Sequence, residues 1–471
     1  MSKVFNFRIV PLALLAAGCS LGLSQDSSSE KLEKQFQVAA SEYESGHFSE
    51  AAAHLEVILP KLPNSFEVHE LLGLVYASQS NEAKALPHLE AAVRIKPDSA
   101  TARTNLATLL SRTGKADQAG QQFRKAQELQ PQDFDTNHNL GEFYVQSGRV
   151  ADARPFLEKA QNINPTSYDN GYDLALAYLI TGQLSQARQT VQDAIRANNT
   201  GELHNLLAQI EEKDGKYIVA ANEFETAAHM DPSEENMFAW GSELLLHRTY
   251  DPAIEVFQSG VQRYPNSARL QIGLGMTQYS RGRYDDAVAA LIRASDLAPS
   301  DARCYLFLSK AYLSSPNQVD EAIQRFKRYA ELQPANGLAQ YYYGVSLWKG
   351  KRTEDAGFDL PAVESLLKKA VALDESIPEV HLQLGNLYAD QHLYDKSIAE
   401  YKRALDLDPK LTDARYRLGQ DYVHTGQKEQ AKAEFALYQK LQSDHLAEVD
   451  KERAEILQFV TTSKPAAGAH P

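Results

Sequence analysis

The segment His69-Glu70-Leu71-Leu72-Gly73 begins like the helix of a zinc protease, in which two imidazoles four residues apart hold the metal and the glutamate acts as base. Gly73 stands where the second histidine is needed, so one helical face offers a single ligand and the segment reads as helix surface. Gly273-Leu274-Gly275 has the glycine spacing of a phosphate loop, but it falls inside a helical pattern with no strand before it, so the glycines read as packing positions. Cys304, beside Tyr305 and Leu306, reads as a small buried hydrophobe and not as a nucleophile. The 13 histidines are scattered without ligand spacing. No catalytic residue, metal site or cofactor is expected from these residues.

Composition narrows the function further. The 471 residues carry a formal charge of −14, which deepens if the segment containing Lys3 and Arg8 is removed. A phosphate backbone needs a basic track, so nucleic acid is not an expected partner, and a protein or peptide with a basic segment is the better electrostatic match. The two cysteines, Cys19 and Cys304, make no disulfide framework.

Residues 1–18 have a short basic region, an apolar run from Ile9 to Ala17 broken only by Pro11, and small residues at the end, the layout of a secretory signal. The run is too short to span a bilayer as a helix. Its end, Leu15-Ala16-Ala17-Gly18-Cys19, resembles the bacterial lipobox, with Ala16 where that family usually has leucine. The resemblance implies lipidation of Cys19, and Ser20 after it implies outer-membrane sorting facing the periplasm. An ordinary signal peptide, giving a soluble periplasmic or secreted protein, is the alternative. Residues 19–31, rich in serine, read as a flexible tether. Contact with a membrane is expected only through the lipid.

The elements that follow are set by a period of 34 residues. Counting from Leu32, position 8 of each unit is small, as at Ala39, Gly73, Ala107, Gly141, Ala175, Gly241, Gly275, Gly385 and Gly419. Position 20 is mostly alanine (Ala51, Ala85, Ala119, Ala153), and position 24 is large, as at Leu55, Phe123, Phe257, Phe326 and Tyr401. Two helices approach closely where the small residues lie, and the large ones fill the space left over. Turn glycines fall between the helices at Gly46, Gly114, Gly148, Gly182, Gly215, Gly282 and Gly426, and prolines such as Pro63, Pro97, Pro131 and Pro409 end the units.

This pattern resembles the tetratricopeptide repeat family over residues 32–445. Leu140-Gly141-Glu142-Phe143-Tyr144 followed by Gly148 and Ala153 is close to its consensus. The fold class implied is all-α, a right-handed α-solenoid of about twelve helix-turn-helix units: 32–65, 66–99, 100–133, 134–167, 168–200, 201–233, 234–267, 268–301, 302–336, 337–377 with an insertion at Lys351–Pro361, 378–411 and 412–445. Residues 446–460 read as an amphipathic capping helix and 461–471 as a disordered tail.

In this family the first helix of each unit lines the concave surface with positions 2, 5, 9, 12 and 13. Read that way, units one to six carry Glu33, Glu44, Glu67, Glu70, Asp135, Glu142, Asp169, Glu202 and Glu212 against few bases, notably Arg112 and Lys213. Units seven to ten carry Phe238, Leu245, Ile272, Met276, Tyr279, Leu306, Leu313, Tyr341, Val345 and Trp348, an apolar stripe suited to anchoring a peptide. Burial of part of that stripe between neighbouring helices is the competing reading. The carboxylate clamp of the best-known peptide-binding members is absent, since Phe36, Glu70 and Thr104 occupy its places. The expected function is a non-catalytic scaffold of the bacterial cell envelope that binds a peptide or protein in its groove. The alternative is a structural accessory of an export, pilus or polysaccharide machine that uses its convex face.

Overall fold

The computed structural model describes residues 27–315, 317–349, 359–443 and 454. The signal segment, Cys19, Gly350 and residues 351–358 of the insertion, and the capping helix and tail, Ala454 apart, lie outside the described residues.

Each repeat folds as two helices, joined by a three-residue turn in all but the ninth and the tenth. First helices run Ser27–Glu44, Phe66–Ser78, Ala100–Arg112, Phe134–Gln146, Tyr168–Ile180, Gly201–Lys213, Glu234–Leu246, Ala268–Ser280, Ala302–Ser314, Gly337–Lys349, Pro378–Asp390 and Thr412–His424. Second helices run Phe48–Ile58, Glu82–Ile95, Ala116–Leu129, Val150–Ile163, Leu184–Ala197, Tyr217–Met230, Tyr250–Arg263, Tyr284–Leu297, Val319–Leu332, Leu360–Leu373, Tyr394–Leu407 and Lys428–Ser443. From the second repeat on, each first helix starts where a repeat was read to start. The earliest helix starts at Ser27, inside the stretch read as a tether.

Ser65, Ser99, Ser167, Thr200, Ser233 and Ser267 each accept an amide N–H at the start of a first helix, and Asp133 does the same for Thr136 at 3.0 Å. At the other end, position 15 enters the left-handed region. Gly114 does so at φ +75°, which lets Lys115 N–H reach the Leu110 carbonyl at 2.9 Å and close the helix. Where repeats lack glycine there, Ser80, Arg248 and His392 adopt the same turn at φ 55–60°.

The described residues divide into two compact units, one up to Lys216 and the other from Tyr217 on. Within each unit a first helix packs on its own second helix, on the second helix before it and on the neighbouring first helices. The close approach rests on position 8. A Cβ at Gly73 would sit 2.5 Å from Leu89, and the Tyr401 ring fills the space beside Gly385. Phe257 is shared, resting against Gly241 of its own repeat and Gly273 of the next.

Two polar ties recur. Position 4 of a first helix meets position 23 of the second: Arg103 donates to Gln122 at 2.7 Å, His381 Nδ1 lies 2.7 Å from Glu400, and Arg415 donates to Glu434 at 3.0 Å. The same position 4 often satisfies the carbonyl of the preceding proline, as Arg103 does for Pro97, Asn137 for Pro131, Tyr305 for Pro299 and Arg415 for Pro409. The second tie joins consecutive repeats. Tyrosines at position 11 donate to the previous second helix, Tyr178 to Glu158 and Tyr388 to Glu364, both at 2.9 Å.

Candidate functional site

The apolar stripe of the second unit divides into a buried part and an open part. Phe238, Leu245, Ile272 and Met276 are fully buried in the core and Val345 is buried in the next cluster, which corrects the expectation that these five face a ligand. The reason is geometric. Successive first helices from Glu234–Leu246 to Gly337–Lys349 touch one another, and these side chains fill the seam between them. Arg269 closes this end further, lying 5.1 Å over the Phe238 ring while donating to Glu234 at 2.8 Å.

The open part lies on the first helices of repeats eight to ten. Leu313 is 55% exposed, and Tyr279, Leu306, Tyr341 and Trp348 are each half-buried. The sequence reading missed Leu338, 39% exposed at position 2 of its helix, where the same rule would have found it. These six side chains sit on three helices that pack side by side, Ala268–Ser280, Ala302–Ser314 and Gly337–Lys349. Lys349 lies 5.6 Å over the Trp348 ring and Lys310 5.7 Å over Phe307, so the surface has cationic points.

In the first unit the acidic row is less wet than its composition implies. Glu70 is 2% exposed and Glu142 is buried, whereas Asp169 and Glu44 are exposed and Glu33, Glu67, Asp135, Glu202 and Glu212 are intermediate. Asn105 donates to Glu70 at 3.3 Å and Gln146 to Glu142 at 3.1 Å, with His138 Nε2 4.0 Å from Glu142. Burial raises the Glu70 carboxyl to about 7, with the Asn105 bond opposing it and Glu67 adding to it. Tyr168 donates to Glu202 at 2.5 Å and Ser65 to Glu67 at 2.9 Å.

The bases on this face are engaged structurally. Lys213 donates to the Leu179 carbonyl at 2.9 Å, at the end of the preceding first helix, and Arg112 reaches the equivalent Ala77 carbonyl at 3.5 Å. They cap helices, an arrangement no local sequence signal announces.

Cys304 is fully buried, and burial pushes its thiol up to about 12, which suits packing and not nucleophilic chemistry. Gly273 and Gly275 lie inside the helix Ala268–Ser280 against Phe257 and Leu291. Among the described residues no three His, Cys, Asp or Glu side chains gather as a metal site, and no helix is long and apolar enough to cross a membrane.

Family models for the tetratricopeptide repeat match residues 76–140, 144–210 and 244–311, residues 39–100 and 311–360, and residues 378–411, more than half of the chain between them. The chain belongs to the tetratricopeptide repeat family. Among curated proteins, this tetratricopeptide repeat protein is 25% identical over 154 residues to the human protein O-mannosyl-transferase TMTC1, covering 33% of this chain and 17% of that one. It is 24% identical over 202 residues to the bovine BBSome complex member BBS4, covering 40% of this chain and 37% of that one. The chain thus spans well under half the length of these relatives. A solved structure of pilF from Pseudomonas aeruginosa is similar at 18% identity and a TM-score of 0.40, over 44% of this chain and 95% of that one.

Proposed function

We propose that this tetratricopeptide repeat protein is a non-catalytic scaffold that anchors a protein or peptide segment on the first helices of repeats eight to ten. The observation that carries the reading is the exposure of Leu313 and Leu338 on the same packed first helices as the half-buried Tyr279, Leu306, Tyr341 and Trp348, apolar surface that a folded chain leaves in water only at a cost. Aromatic and aliphatic anchors on neighbouring helices suit a segment with apolar side chains of its own. The carboxylates of the first unit favour a basic stretch in the partner. The signal-like leader and Cys19 support a setting in the cell envelope, tethered through lipid.

Purified partner retention tests the reading. Leu313→Asp and Leu338→Asp are each expected to weaken retention at least about tenfold, the scale of a lost interface anchor. Ile218→Asp, at an exposed site on a second helix, is expected to leave it unchanged. Retention lost only in Ile218→Asp would transfer the function to the second-helix face and favour the accessory-subunit reading.

A further inference from the structure

We propose that His69 and His88 form a two-imidazole clip for a divalent first-row cation of the zinc, nickel or copper class. The recurring tie between positions 4 and 23 elsewhere joins a donor to an acceptor of another residue type, as in Arg103–Gln122, His381–Glu400 and Arg415–Glu434. In the second repeat it joins two histidines whose Nδ1 atoms lie 3.0 Å apart. Tetrahedral zinc with metal–nitrogen distances of about 2.0–2.1 Å separates its ligand nitrogens by roughly 3.3 Å, so an opening of a few tenths of an ångström admits the ion.

The protons are already placed for it. His69 Nε2 lies 3.1 Å from the Pro63 carbonyl, which only accepts, so Nε2 carries the proton and Nδ1 presents its lone pair to His88. His88 Nδ1–H is then the donor between the rings. Moving that proton to Nε2 of His88 frees the second lone pair with no net proton released. A carbonyl on the far nitrogen is the outer hydrogen bond that metal-bound histidines use to hold their tautomer and direction. Tyr76 stacks on His88 at 5.7 Å and fixes the second ring. Both imidazoles are half-buried, which leaves an open side for water to complete the coordination. Burial and the neighbouring His69 hold the His88 pKa below its usual value, and the charges facing it are Glu56 and Lys84, themselves 3.7 Å apart.

The test is calorimetric titration of the folded chain with zinc chloride and with nickel chloride at neutral pH. His88→Gln is the comparison, because glutamine keeps the tie to position 4 as Gln122 does for Arg103. The natural chain should take up one equivalent saturably, with a rise in Tm that EDTA reverses. His88→Gln should fold with the same Tm in EDTA and bind at least about tenfold more weakly. Absence of a saturable one-equivalent step, or the same step in His88→Gln, would overturn the clip.

Discussion

Asn105, on the first helix of repeat three, donates its side-chain amide to the Glu70 carboxylate of repeat two across 3.3 Å, and both groups are buried. The carboxyl is pushed up to about 7 in the fold, whereas in the unfolded chain it titrates near 4.5. The folded state therefore holds a proton that the unfolded state gives up as pH rises from 4.5 to 7. Stability falls across that window, and the full penalty is present above it. Glu70→Gln keeps the bond to Asn105 without the charge. Urea unfolding should show the variant about 1–3 kcal/mol more stable than the natural chain at pH 8, with the difference shrinking at pH 5. Equal differences at the two pH values would contradict the assignment.

Turn and packing glycines should respond to substitution in different ways. Gly73→Ala puts a methyl onto Leu89 and is expected to cost about 1–3 kcal/mol through overpacking. Gly282 has open space around it, so Gly282→Ala should cost about 1 kcal/mol through its φ of +84° alone. His392→Gly, at the equivalent turn, should gain about 0.5–1 kcal/mol. Chemical denaturation of the three variants gives the comparison.

The tie between Arg415 and Glu434, both mostly shielded, should show as coupling. A double-mutant cycle with Arg415→Ala and Glu434→Ala is expected to return about 0.5–1.5 kcal/mol. The single Arg415→Ala should cost more than Glu434→Ala, because it also strips the Pro409 carbonyl of a donor.

Cys304 should be inert until the second unit opens. With Cys19 changed to serine, thiol labelling of the folded chain should follow the unfolding rate, and burst labelling without denaturant would place the thiol at the surface. The same Cys19→Ser substitution should move the protein from the membrane fraction to the soluble fraction in cells, if lipid is its anchor.

The repeat was legible because its rules are local. Small residues at position 8, alanine at 20, a large residue at 24 and glycine at 15 each answer one steric demand, and the helices start and stop accordingly. Residues that meet through the stacking of repeats were less legible. Phe238, Ile272 and Met276 occupy the same face of their own first helices as Leu306 and Leu313 do of theirs, and only the closeness of neighbouring first helices decides which are buried. His69 and His88 are 19 residues apart, a separation that has no meaning along one helix and becomes a contact only when the two helices of a repeat fold together.

The most direct test of the binding surface is photocrosslinking in cells from a photoreactive residue at position 313, read by mass spectrometry, with Trp348→Asp as the comparison. The account predicts a discrete adduct with one partner segment that disappears in Trp348→Asp while the fold persists. An adduct undiminished in Trp348→Asp, or none at position 313 with the protein folded and its partners present, would contradict it.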